Sequence, residues 1–472
     1  MNTQTEAETQ TDNLESMEPA LSRGWIANRK EFLILAADIA ALFLLHEFLP
    51  YEPKTNAGLA MFFFVGVLWL TEAVHITITA LLAPILGVLF GLMDVTASLK
   101  PFADPTIFLF FGGFALATAL HIQGIDRFIA HRLLFLARGH LGGAAIMLFL
   151  ATAALSMWIS NTATAAMMLP LALGLLSNLD AKKERGAYVF LLLGVAYSAS
   201  IGGLGTLVGS PPNAIVALYL KLDFMGWMKY GLPMMIVLLP LMIGVLYLVF
   251  RPNLNHRVAV ENHEFVWTKP RLITVGIFVL TALCWIFSAH ISEALGKIKQ
   301  FDSLVALGAA VLIGVSGVAT WKQIQTNTEW GILFLFGGGL ALSAILGSSG
   351  ASLALANEIR DLIGNGHWFL IIAVSAAFII LLTEFTSNTA SAALMVPLFG
   401  AVGEGLGMPP HILPLVMGIG ASCAFMLPVA TPPNAIVFGA GHIEQREMIR
   451  AGFGLVVAST ILVSLFAWFV WM

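Results

Sequence analysis

The chain has 472 residues, 58% of them hydrophobic and only 11% charged, with a formal net charge of −4. A soluble protein carries roughly 25% charged residues, and a thin acidic balance offers nothing to nucleic acid. Two cysteines, Cys284 and Cys423, both inside apolar runs, are too few for a disulfide framework or a zinc site and read as small core residues.

Residues 1–31 are polar, acidic from Glu6 to Glu18 and basic at Arg23, Arg29 and Lys30. A secretory signal would begin with its basic and apolar regions, so this segment reads as a cytoplasmic leader. Apolar segments then begin near Phe32, Gly58, Leu81, Thr106, Gly142, Ala187, Gly231, Leu272, Ser303, Trp330, His367, His411 and Ala451. Runs such as Gly231–Phe250 and Phe453–Met472 reach the ~20 residues that a helix needs to cross a bilayer. Residues 142–176 and 367–402 are long enough for more than one crossing, yet each breaks midway at Ser-Asn-Thr. They read as re-entrant hairpins that return to the side they entered from. The expected fold is an all-α polytopic membrane protein, embedded in lipid, with eleven transmembrane helices plus two re-entrant hairpins. With the N-terminus inside, the cytoplasmic segments hold 16 of the 23 Lys and Arg residues, as the positive-inside rule requires.

The sequence repeats itself. Ser160-Asn161-Thr162 and the residues up to Pro170 match Ser387-Asn388-Thr389 and the residues up to Pro397. Ser210-Pro211-Pro212-Asn213 matches Thr431-Pro432-Pro433-Asn434, and Gly112-Gly113 matches Gly338-Gly339, at offsets of 227, 221 and 226. After the first helix each unit has five crossings plus one hairpin, an odd number, so the second copy is expected upside down relative to the first. Inverted repeats with interrupted helices at corresponding places mark secondary carriers.

Inside hydrocarbon, every backbone polar group needs a partner, so irregular chain is tolerated only where it lines a cavity. Ser, Asn and Thr are strong N-cap residues, so each break starts a half-helix whose free N–H groups and positive end favour an anion. No Lys or Arg lies between Arg138 and Lys182, or between Arg360 and Arg446. An anion carried here has no side-chain cation to pair with, and burying it unpaired is prohibitive. Imported cations must supply the balance, and hydroxyl, amide and carbonyl oxygens are hard ligands suited to sodium. Ser156 stands one turn before Ser160, and Thr383 one turn before Ser387; Gly209 and Ala430 precede the two Pro-Pro breaks. Each repeat therefore offers one candidate cation pocket.

These paired motifs resemble those of the divalent anion:sodium symporter family, and the likeness covers nearly the whole chain beyond the leader. The resemblance implies a homodimer in a bacterial inner membrane, N-terminus cytoplasmic and C-terminus periplasmic. It implies scaffold helices in 32–141 and 251–366, the latter opening with a linker. Transport parts would lie in 142–250 and 367–472, moving as an elevator. It places Ser160, Asn161, Thr162, Ser210, Ser387, Asn388, Thr389, Thr431 and Pro432 around the substrate. It places sodium near Ser156, Ser160, Asn161 and Gly209, and again near Thr383, Ser387, Asn388 and Ala430. The implied activity is sodium-coupled symport of C4-dicarboxylates such as succinate, fumarate and malate. The family also contains sulfate carriers and sodium-independent exchangers.

Other residues read more plainly. Thr164 and Ser391 are expected to pack helix against helix. Glu384 has no acidic counterpart in the first repeat and reads as a structural carboxylate rather than a proton site. Asp38, His46, Glu47, Glu72 and His75 suit interfacial or helix-pairing roles, and Arg127, Arg132 and Arg138 a membrane-surface helix. No His lies near Ser160 or Ser387 in the broken segments, so a hydrolase lacks its base and no enzyme activity is expected.

Overall fold

The computed structural model describes residues 29–137, 139–257, 265–363 and 367–472. The leader up to residue 28, Arg138 and residues 258–264 of the expected linker lie outside the described residues. Among these residues the regular structure is helical, apart from an isolated bridge between His140 and Arg257. Seven helices are long and apolar enough to cross a bilayer: Pro53–Thr71, Val95–Ile122, Arg185–Gly203, Phe224–Phe250, Lys269–Ile286, Trp330–Ser349 and Gln445–Trp471. Others are shorter, such as Ile76–Leu89 and Phe301–Ser316, or are interrupted at the motifs above. The chain is thus an all-helical, multi-pass membrane protein.

The order of elements is the same in both repeats. Pro105–Ile122, Ile125–Phe135, Leu141–Ser156, Asn161–Leu176, Arg185–Gly203, Pro211–Leu220 and Phe224–Phe250 run in the first. Trp330–Ser349, Ala351–Ile363, Trp368–Thr383, Asn388–Gly405, Ile412–Ala421, Pro432–Gly439 and Gln445–Phe466 run in the second. Each expected hairpin is a helix pair broken at Ser-Asn-Thr. The surface helix expected around Arg127 and Arg132 is Ile125–Phe135, with the Arg132 guanidinium 5.5 Å from the centre of the Phe128 ring.

The repeats are interlocked by reciprocal packing. Phe301–Ser316 of the second packs on Pro105–Ile122 of the first, and Ile76–Leu89 of the first packs on Trp330–Ser349 of the second. The motif glycines set both crossings. A Cβ at Gly112 would lie 2.4 Å from the Ala306 carbonyl oxygen, and one at Gly338 would lie 2.4 Å from the Ala80 carbonyl oxygen. Membrane helices associate through such close approaches because lipid gives them no hydrophobic reason to pair. Pro211–Leu220 likewise packs on Asn388–Gly405, while Pro432–Gly439 packs on Asn161–Leu176. Each Pro-Pro break is thereby delivered to the Ser-Asn-Thr break of the other repeat. Arg185–Gly203 is apolar on all sides and almost wholly buried, so it forms the centre of this arrangement.

Candidate substrate and cation site

Four helix starts converge on one cavity of about 540 Å3. Ser160 caps Asn161–Leu176, its Oγ accepting from the Ala163 amide at 3.4 Å, and Ser387 is the N-cap of Asn388–Gly405. Ser210 and Thr431 precede Pro211–Leu220 and Pro432–Gly439 in extended backbone. Proline fits the first helical positions because their N–H groups have no intrahelical partner to lose. The cavity is lined by Ser160, Asn161, Thr162, Gly209, Ser210, Ser387, Asn388, Thr389, Ala430, Thr431 and Pro432. The structure thus brings together residues as much as 272 positions apart, from Ser160 to Pro432.

Ser156 and Thr383 do not line the cavity; both are fully buried behind it. Ser156 Oγ lies 2.6 Å from Asn161 Oδ1 and 2.7 Å from the Ala199 carbonyl. Thr383 Oγ1 lies 2.6 Å from Asn388 Oδ1 and 2.9 Å from the Ala421 carbonyl. A hydroxyl has one proton to donate, so in each cluster it serves one acceptor and faces the other with a lone pair. Three converging oxygens of this kind are the donor set for a hard cation. Gly203 lies close to both Asn161 and Gly209: a Cβ there would lie 2.5 Å from Asn161 Oδ1 and 3.1 Å from the Gly209 carbonyl oxygen.

The lining contains no Lys, Arg or His. Its positive potential comes from the helix starts, whose first amides are free of intrahelical bonds. Two acidic side chains, Glu72 and Glu329, also line the cavity and are exposed. Glu72, expected in an interfacial or helix-pairing role, thus also stands at the cavity wall. It ends Pro53–Thr71 in left-handed backbone, φ 49°, a turn that the sequence alone does not reveal.

A supporting layer holds the breaks in shape. Asn213 Nδ2 donates to the carbonyls of Gly203 and Thr206 at 2.7 and 2.8 Å. Asn434 Nδ2 donates to those of Ala424 and Leu427 at 3.4 and 3.0 Å. Both asparagines are fully buried and satisfy carbonyls that the interrupted helices leave open. Their repetition in the Pro-Pro-Asn motif was a readable signal; their targets were not. Glu384 is fully buried and accepts hydrogen bonds from the amides of Phe425, Met426 and Leu427 at 2.6 to 3.2 Å. Its counterpart by the repeat offset is Met157, whose carbonyl accepts from the Thr206 hydroxyl. One contact position is thus filled by different chemistry in the two repeats, and these contacts are of the kind expected of a structural carboxylate. Ser391 is buried, as its expected packing role requires, and its hydroxyl also bonds Thr386 across the break at 2.6 Å. Ser200, absent from the sequence reading, also reaches the cavity.

Broken helices from two repeats, meeting at a polar cavity inside a helical membrane protein, define a multi-pass membrane transporter. The chain belongs to the divalent anion:sodium symporter family, its residues 28–472 matching the family described as sodium:sulfate symporter transmembrane region. It is 58% identical to an uncharacterized transporter of Haemophilus influenzae, covering 95% of this chain and 98% of that one. An uncharacterized transporter of Methanocaldococcus jannaschii is 37% identical, over 93% and 98% of the two chains. The sodium-dependent dicarboxylate transporter SdcS of Staphylococcus saprophyticus is 32% identical, over 87% and 85%. Among solved structures, the YdaH transporter of Alcanivorax borkumensis shares the fold with a TM-score of 0.53 at 16% identity, over 80% of this chain and 88% of that one. Family and relatives together make this a sodium-coupled transporter.

Proposed function

We propose that this protein imports C4-dicarboxylates, such as succinate, fumarate and malate, together with sodium. The observation that carries this reading is the pair of Ser-Asn-Thr half-helices on one cavity that lacks any cationic side chain. Two equivalent anion-favouring ends suit a short molecule with a carboxylate at each end. Their charges exceed what helix ends alone offset, so the two oxygen clusters behind the cavity supply sodium. Ser160, Asn161, Thr162, Ser387, Asn388 and Thr389 bind the carboxylates, with Ser210, Thr431 and Pro432 completing the wall. Ser156, Ser160, Asn161 and Gly209 hold one cation, and Thr383, Ser387, Asn388 and Ala430 another. The likeness to SdcS, a sodium-dependent dicarboxylate transporter, supports the dicarboxylate over sulfate.

Transport follows an elevator path in a homodimer of the bacterial inner membrane, with eleven crossings and two re-entrant hairpins. The parts 142–250 and 367–472 carry the site past the scaffold helices in 32–141 and 251–366. On the topology given by the Lys and Arg bias, Glu72 and Glu329 stand on the cytoplasmic side with Lys322, so the cavity opens inward here. Labelled succinate uptake into proteoliposomes, with sodium or potassium outside and sulfate, citrate and aspartate as competitors, tests the reading. Sodium-dependent uptake that sulfate leaves intact is expected. Uptake indifferent to sodium identifies an exchanger, and sulfate uptake without succinate uptake identifies a sulfate carrier.

A further inference from the structure

A second polar cavity, of about 230 Å3, lies beyond the C-terminal end of Pro211–Leu220, with Thr106, Asp223, Ser288, Asp302 and Ser303 on its walls. That ten-residue helix separates it from the transport cavity by about 15 Å. Asp302 is 4% exposed. Its Oδ2 accepts from the Phe224 amide at 2.8 Å, and its own carbonyl accepts from Trp285 Nε1 at 3.0 Å. Its Oδ1 is buried without a hydrogen bond of ordinary geometry; the Ser288 hydroxyl interacts with the carboxylate.

A carboxylate at this depth needs compensation. The start of Phe224–Phe250 provides part of it through one amide and the helix dipole. The ion pairs among the described residues include neither Asp302 nor Asp223. Lys221 shares the cavity but its side chain is exposed. Asp223 is already engaged, with Oδ1 accepting from the Gly226 amide at 2.6 Å. What remains buried is Oδ1 of Asp302, with the Ser288 and Ser303 side chains on the same wall and the charged Lys221 and Asp223 at the exposed side of the cavity. A divalent ion would call for more carboxylates, whereas a small hard cation of single charge fits.

We infer that this cavity binds a sodium ion at Asp302, separately from the ions carried with substrate. The bound ion ties the start of Phe224–Phe250 to Phe301–Ser316 and so holds the present arrangement of these helices. Binding at this site is independent of the proposed substrate, so failure of succinate uptake would leave it standing.

The test uses the purified full-length protein carrying Asn161→Ala and Asn388→Ala, which disables the transport clusters. Sodium chloride is titrated against choline chloride at constant ionic strength, and the Tm is read alongside tryptophan fluorescence, for which Trp285 is the local reporter. A saturable sodium response is expected. Asp302→Asn, which keeps an acceptor for the Phe224 amide, should abolish it. Ser288→Ala should raise the half-saturating sodium concentration several-fold, and keeps the test alive should Asp302→Asn misfold. A response unchanged by Asp302→Asn, or by Ser288→Ala where only that variant folds, overturns the inference. So does a flat titration of the parent protein, which would mean that the cavity holds water only.

Discussion

Ser156 and Asn161 meet at 2.6 Å through Oγ and Oδ1, and Thr383 and Asn388 repeat that contact at the same distance. The first member of each pair sits behind the cavity and the second lines its wall. On the proposed assignment, cation and anion sites share a side chain, which would give coupling a physical basis. Ser156→Ala and Thr383→Ala each remove one oxygen from a cation cluster and leave the substrate wall in place. Each should raise the half-saturating sodium concentration roughly tenfold, equivalent to ~1.4 kcal/mol, with substrate affinity at saturating sodium little changed. Sodium titrations of uptake check this, and unchanged sodium dependence in both variants would count against the clusters.

The proposal assigns Asn161 and Asn388 to both kinds of site, so their loss should be more severe. Asn161→Ala and Asn388→Ala should each cut transport at least about tenfold, in keeping with a loss of ~1.4 kcal/mol or more. Expression and gel-filtration behaviour should stay normal. Near-normal uptake by either purified variant would remove that residue from the site.

Glu384 holds three consecutive amides of the second interrupted segment. Glu384→Gln replaces a carboxylate with one acceptor oxygen and a donor that faces amide N–H groups. The expected cost is about 1–3 kcal/mol, as for a buried hydrogen-bonding group left unsatisfied, read as a lower Tm with or without substrate. Were Glu384 instead a proton carrier, the variant would keep its Tm and lose the pH dependence of uptake.

The two glycine crossings can be tested in parallel. Gly112→Ala and Gly338→Ala force a methyl group against a backbone carbonyl of the opposite repeat, and overpacking of this kind costs typically 1–3 kcal/mol. Gly174, with nothing within 4 Å of an added Cβ, is the control. Thermal stability should fall for the first two and hold for Gly174→Ala.

The broken helices were legible because their signals are local. Proline and N-cap residues inside an apolar run have few explanations, and their repetition removed the remaining ones. The cavity wall followed, from Ser160 to Pro432. Glu72 and Ser200 escaped because their places depend on how distant helices meet. Glu384 stood out in the sequence as an acid without a counterpart in the first repeat, but its partners are backbone amides, which leave no trace in residue identity. The hydrogen bond of Ser391 was out of reach for a related reason: its partner Thr386 lies within the break and becomes a neighbour only once the chain has turned there.

The central claim is that sodium completes a dianion site that has no cationic side chain. Equilibrium binding of labelled succinate to the purified protein, in sodium and then in choline at equal ionic strength, tests it most directly. The account predicts saturable binding in sodium and little or none in choline. By linkage, succinate should raise the affinity for sodium by the same factor. Equal succinate binding in the two salts would contradict it.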